Sequence, residues 1–334
     1  MGPRTPGQIS GRGAGFDWGE YVAWLVRERG SLAAVASAMA AQRRGAEHPD
    51  SVERALRRLR ARGFEDGGAW GARAVQCFGM PADVFDRLRW MGLYHSRFSD
   101  LPVPICVELL RSWDRPPVAQ SAARALVQLG LAHCALRSAS YREALAALDR
   151  ARAAAGSDAL SHAEERLARA YCVVRKGDGR APAWALLGEA DELIASLERS
   201  ADRACLDARS RDQRAYLLVR GSADERARAR ELLFAIPESG PVFARLKRCL
   251  GLAYCHKLEG ELDAARELAR AALTAAGDGG FVRHRAIALG LLARLTTGEE
   301  SASFSARAAS LAAELGDEDL RTRARSVEGR QAEG

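Results

Sequence analysis

The chain has 334 residues, of which 48% are apolar and 28% charged, and its formal net charge is +7. That composition supports a large core or an elongated array, while the absence of any run of about 18 apolar residues excludes a membrane-spanning helix. The seven cysteines are widely spaced and form no CxxC pair, which excludes a disulfide framework and a zinc site and fits a reducing compartment.

Residues 1–15 are rich in Gly, Pro and Arg and lack the apolar stretch of a secretory signal. They read as a disordered lead-in, and the chain is expected in the cytoplasm. The positive charge carries little information about partners, because only Lys176, Lys247 and Lys257 are lysine and the other 47 of the 50 basic residues are arginine. With so much alanine beside it, this arginine looks like the coding bias of a GC-rich genome.

Residues 17–63 read as three helices. The first runs from Asp17 to Arg29 and ends at Gly30; Ser31 caps the second, Leu32 to Ala41. A loop, Gln42 to Asp50, leads to the third, Val52 to Arg62, capped by Asp50 or Ser51. Its apolar stripe is Val52, Ala55, Leu56 and Leu59, and Arg54, Arg57 and Arg58 take the opposite face. The segments SLAAVASAM and SVERALRRLRARG are similar to the second and third helices of a helix–turn–helix domain. The resemblance implies that Arg54, Arg57, Arg58 and Arg62 meet DNA phosphates and base edges. The connecting loop of about nine residues exceeds the usual turn of three or four. A helical cap with an arginine-rich polar face is the other reading.

From residue 80 onward, apolar residues recur at spacings of three and four, the helical pattern, and the segments themselves recur. Leu129-Gly130-Leu131-Ala132-His133-Cys134 matches Leu250-Gly251-Leu252-Ala253-Tyr254-Cys255, with Leu167-Ala168-Arg169-Ala170-Tyr171-Cys172 between them. An aromatic or equivalent position falls at Tyr94, His133, Tyr171, Tyr216, Tyr254 and Ala293, in steps of 39, 38, 45, 38 and 39 residues. In the second helices, alanines lie seven apart at 144/151, 183/190, 265/272 and 306/313. Seven residues is two helical turns, so each pair lines one face and admits a close neighbour.

The pattern Leu-Gly-x-x-Tyr, followed by paired alanines, resembles the tetratricopeptide repeat (TPR) family. The match is good around 127–155 and 248–274, fair at 165–192 and poor at 210–237 and 286–314. The resemblance implies a concave groove lined by the first helix of each unit. Carrying over the family's groove positions places Arg169, Arg214, Arg245, Arg248 and His256 there. Those arginines would clamp a carboxylate or acidic peptide, or else pair with neighbouring acids such as Glu165 and Asp207. A helix–turn–helix joined to such repeats resembles the peptide-sensing bacterial transcription regulators.

Nothing points to catalysis. Gly11-Arg12-Gly13-Ala14-Gly15 follows no strand, no Walker lysine occurs, and no two histidines have metal-ligand spacing. His95, His133 and His256 fall at or beside the aromatic slot, and Cys134, Cys172 and Cys255 follow it, which reads as packing. The expectation is an all-α, TPR-like right-handed helical solenoid behind a small N-terminal helical domain. Its divisions are 1–15 lead-in, 16–72 helical domain, 73–318 about six helix pairs, and 319–334 charged tail. The expected function is non-catalytic binding of a protein or peptide partner in the groove, as adaptor or regulator, with no cofactor and no metal. The alternative is a DNA-binding regulator that uses residues 17–63 and whose repeats sense a peptide or dimerise.

Overall fold

The computed structural model describes residues 15–42 and 47–322, and every regular element among them is helical. None of the helices is long and apolar enough to cross a membrane. The N-terminal part comprises α1 (Trp18–Arg29), α2 (Leu32–Ala41), α3 (Pro49–Ala61) and α4 (Gly68–Phe78). Asp17 caps α1, Gly30 closes it at φ 85°, and the Ser31 hydroxyl accepts the Ala34 amide to start α2. The start of α3 lies earlier than the sequence suggests. Pro49 occupies the first turn and His48, rather than Asp50 or Ser51, caps it, since proline lacks the amide that this position leaves unused.

Sequence reading assigned no element to 68–78, and its domain boundary at 72 falls inside α4. Trp18 explains the packing there. A Cβ at Gly67 or Gly71 would lie 2.2 Å or 2.6 Å from the indole, so only glycine lets α4 approach. Tyr21 donates its hydroxyl to the Gly79 carbonyl at 2.9 Å. One buried apolar cluster runs from Phe16 through α1–α4 to Leu206, so this part shares its core with the helices that follow.

Next come α5 (Ala82–Gly92), a 3-10 turn at Arg97–Asp100, and α6 (Val103–Trp113). Five helical hairpins follow: α7 (Arg124–Arg137) with α8 (Tyr141–Ala154), α9 (Ala159–Lys176) with α10 (Arg180–Ser196), α11 (Ala201–Leu218) with α12 (Ala223–Phe234), α13 (Val242–Glu259) with α14 (Leu262–Asp278), and α15 (Val282–Leu292) with α16 (Gly298–Glu314). Each first helix also packs beside the next first helix, giving the row α5–α7–α9–α11–α13–α15. Left-handed Gly177 and Gly260 turn the chain between partners in two of the hairpins.

Alanines 144, 151, 183, 190, 265 and 272 are fully or almost fully buried against the neighbouring helices. In the last hairpin the register differs by one residue. Ala306 and Ala313 are exposed, and Ser305 and Ala312 take the buried slots. The shift is natural in α16, where small residues are so dense that spacing alone does not choose a face.

Of the expected charged tail, 319–334, only residues 319–322 are described, and the rest lies outside the described residues. The Val103 amide donates to the Leu315 carbonyl at 2.9 Å, and the 3-10 turn touches α15. Asp317, Asp319 and Leu320 are buried. Asp317 pairs with Arg137 (3.2 Å) and Arg283 (2.8 Å); Asp319 pairs with Arg175 (2.7 Å) and accepts from the Tyr171 hydroxyl (3.0 Å). The row of first helices therefore closes on itself through residues 315–320. Replacing Asp317 by Asn should lower the unfolding free energy by about 3–5 kcal/mol, because two buried guanidinium groups lose their counter-charge. Asp263→Asn, which removes an exposed carboxylate, should leave the denaturation midpoint unchanged. A cost below about 1 kcal/mol for the Asp317 variant, read by chemical denaturation, would contradict the closure.

Candidate functional site

The first helices face a cavity of about 370 Å³. Equivalent turns of five helices meet there. His133, Tyr171, Arg209, Lys247 and Arg283 follow one another at steps of 38, 38, 38 and 36 residues, and all line the cavity. One turn further along, Arg137, Arg175, Gln213, Gly251 and Ile287 repeat the same steps. Tyr94, just after α5, forms part of the same wall. Its ring carries Arg209 at 4.2 Å, Arg283 at 5.6 Å and Lys247 at 5.8 Å from the centroid, and its hydroxyl accepts from Arg283 at 2.5 Å. Cations over an aromatic face are attracted by its quadrupole, most strongly where water is excluded.

These cations are matched from behind. Glu164 on α9 holds Arg209, Asp212 on α11 holds Lys247 at 2.9 Å, and Asp317 holds Arg283. Burial alone would push the Glu164 carboxyl up, but Arg209 beside it holds it well below the usual carboxylate range. The same balance, with Arg283 as the neighbour, lowers Asp317. His133 Nε2 lies 2.8 Å from Glu164 Oε1, off the line of a good hydrogen bond, and neither ring nitrogen has a hydrogen-bond partner. His284, on the outer side of Lys247, sits edge-on to Phe243 and Phe281 and also lacks hydrogen bonds. Burial pushes both imidazoles down, and Lys247 and Arg283 push His284 further. Both rings are therefore neutral near pH 7.

The five groove residues expected from the sequence do not line this cavity. Arg169 pairs with Glu165 (2.6 Å) and with Asp149 of α8 (2.7 Å). Arg214 pairs with Asp191 of α10 (2.6 Å) over the Trp184 ring. Arg245 is exposed on α13. Arg248 donates to the Leu233 and Ile236 carbonyls and to Glu238, closing the end of α12. His256 pairs with Glu261. The cause is register. Tyr216 and Tyr254 lie seven residues beyond Arg209 and Lys247, whereas Tyr171 occupies the same slot as Arg209. The 45-residue step thus hid a 38-residue period behind two extra helical turns. Arg137, Arg175, Arg209 and Arg283 escaped notice because arginine is everywhere in this chain.

The other sequence candidates lie elsewhere in the fold. Arg54, Arg57 and Arg58 are exposed on α3 opposite buried Val52, Ala55, Leu56 and Leu59; Arg57 pairs with Glu53, and Arg62 donates to the Asp66 carbonyl. Cys172 and Cys255 are buried, and burial pushes both thiols up to about 11, which suits packing rather than nucleophilic chemistry. At the turn between α13 and α14, His256, Glu259 and Glu261 bring possible metal-binding atoms within 4.8 Å of one another. Arg230 holds Glu259 there at 2.9 Å.

No protein-family model matches the chain, and no curated protein or solved structure matches it significantly.

The neutral histidines set an expected pH dependence. Their folded pKa values lie below the unfolded value of about 6.5, so the unfolded chain binds more protons and stability falls as pH drops through about 6.5 to 5. Glu164 and Asp317, with depressed values, stabilise the fold above about pH 4 and lose that contribution below it. In His284→Phe, which keeps an aromatic ring between Phe243 and Phe281, the decline between pH 6.5 and 5 should be shallower. An unchanged pH profile in that variant would remove His284 from this account.

Proposed function

We propose that the chain is a non-catalytic, tetratricopeptide-like binding protein, an adaptor or regulator, whose first helices together enclose a ligand. The observation that carries this reading is the convergence of register-equivalent residues from five successive first helices on one cavity. Consecutive hairpins with side-by-side first helices support the tetratricopeptide-like arrangement, with a period of 38 residues against about 34 in that family. The cavity lies within the range of small-molecule sites, roughly 300–1,000 Å³. It has room for a small ligand or a few side chains of a partner's peptide. Its cations are held in pairs, as befits recognition rather than proton transfer or nucleophilic attack.

The neutral fluorophore N-phenyl-1-naphthylamine tests the reading. Its emission should rise saturably with the full chain, at one site per chain. Val174→Trp, which fills the cavity from α9, should abolish the rise while leaving the helical circular dichroism intact. Undiminished binding in a folded Val174→Trp variant contradicts the proposal.

A second reading is favoured by α3, which turns Arg54, Arg57 and Arg58 to solvent on one face. In it the chain is a DNA-binding regulator and the cavity senses a peptide or small ligand. The full chain should then bind random duplex DNA at low salt. Replacing the three arginines by Ala should reduce the slope of log K against log salt by about 3. Absence of binding at low salt sinks this second reading and leaves the first untouched.

A further inference from the structure

Seven cationic side chains line the cavity against a single carboxylate, Asp212. The carboxylates of Glu164, Asp212, Asp317 and Asp319 account for the cations in the middle of the inner row. At the open end the pattern stops. Arg220, exposed just beyond α11, donates Nε (3.3 Å) and Nη2 (3.0 Å) to the Tyr254 hydroxyl and has no acidic partner among the described residues. Exposed Tyr216, in the last turn of α11, and Arg294, just beyond α15, line the same cavity. A guanidinium held only by a phenol retains its charge and its planar fork for a ligand anion.

Between this end and the deep wall, Val174, Ala215, Leu250, Ile287 and Leu291 give the lining an apolar side, facing Arg137, Arg175 and Gln213 one turn beyond the inner slot. The deep wall holds His133, more than nine-tenths buried, whose Nε2 faces the Glu164 carboxylate at 2.8 Å and whose Nδ1 has no hydrogen-bond partner. A buried polar group of this kind calls for a partner. Arg209 occupies the same inner slot as His133, and the helical rise from there to Arg220 is about 16 Å.

We propose that the ligand is a compact amphiphilic acid. Its carboxylate meets Arg220 at the mouth, its apolar body lies between the first helices, and a hydroxyl or comparable donor reaches His133. The proposal rests on the cavity being the ligand site, and it adds the chemical class and the orientation. A cationic ligand is excluded by the surplus of positive charge, and a folded partner by the volume. A neutral imidazole accepts a hydrogen bond from a hydroxyl without any change of charge.

The test is calorimetric titration of the full chain with 10-hydroxydecanoate, decanoate and 1,10-decanediol. 10-Hydroxydecanoate should bind at least tenfold more tightly than the diol and several-fold more tightly than decanoate. In Arg220→Ala, whose side chain is exposed and carries no part of the core, the acid and the diol should bind within about twofold of each other; Arg220→Lys should recover part of the difference. Equal affinities for acid and diol in the native chain overturn the carboxylate assignment, and equal affinities for the two acids overturn the contact with His133. Tighter binding of N-acetyl-leucyl-leucine than of 10-hydroxydecanoate overturns the small acid in favour of a peptide end. The naphthylamine probe keeps these failures apart from failure of the site itself. If it binds while the acids show no preference, the site stands and the class is wrong; if neither binds, both fall.

Discussion

Asp317 and Asp319, just after α16, enter the interior and meet arginines that belong to three different first helices, Arg137 of α7, Arg175 of α9 and Arg283 of α15. Taking these charges out of water is costly, and mutual attraction repays the cost only where geometry and extra hydrogen bonds are good. Here they are. Arg137 also donates to the Leu101 carbonyl at 2.9 Å and the Leu315 carbonyl at 3.2 Å, and the Arg283 amide donates to Asp100 at 2.8 Å. Two acids on one short segment thus tie the last hairpin to the first ones.

Closure decides what the inner face can be. In an open array the slots at 133, 171, 209, 247 and 283 would spread along a groove, each cation solvated. Tied end to end, the same slots converge around Tyr94, and the inner cations need acids beside them, with Asp317 serving both Arg137 and Arg283. Glu164, Asp212 and the Asp317–Asp319 pair supply them. The price of this arrangement is a neutral His133 and a neutral His284 among guanidinium groups. What remains for the proposed amphiphile is a partly apolar lining with Arg220, partnered by a phenol instead of an acid, at its mouth.

Much of this was legible in the residues. The helical periodicity, the Gly30–Ser31 break between α1 and α2, and the small residues at 144/151, 183/190 and 265/272 all reflect local physics: caps, turns and close helix approach. The inner register was harder to see. Tyrosine recurs at 171, 216 and 254 but occupies two different turns of the inner face, and the slot at 209 is filled by arginine, which composition makes unremarkable. The closure was invisible, because Asp317 and Asp319 sit in a stretch as charged as any solvated tail. Only their distance in space from Arg137, Arg175 and Arg283 gives them meaning. Likewise Trp18 read as one apolar residue among several, until Gly67 and Gly71 were found against its ring.

Native-state amide exchange at Val103, whose amide donates to Leu315 across the closure, tests the account most directly. A closed row predicts that this amide exchanges as slowly as those in the middle of α7 and α9, since only global unfolding exposes it. Exchange at the rate of a free loop, with α7 and α9 still protected, would show an array that opens at its ends, and the shared cavity would lose its basis.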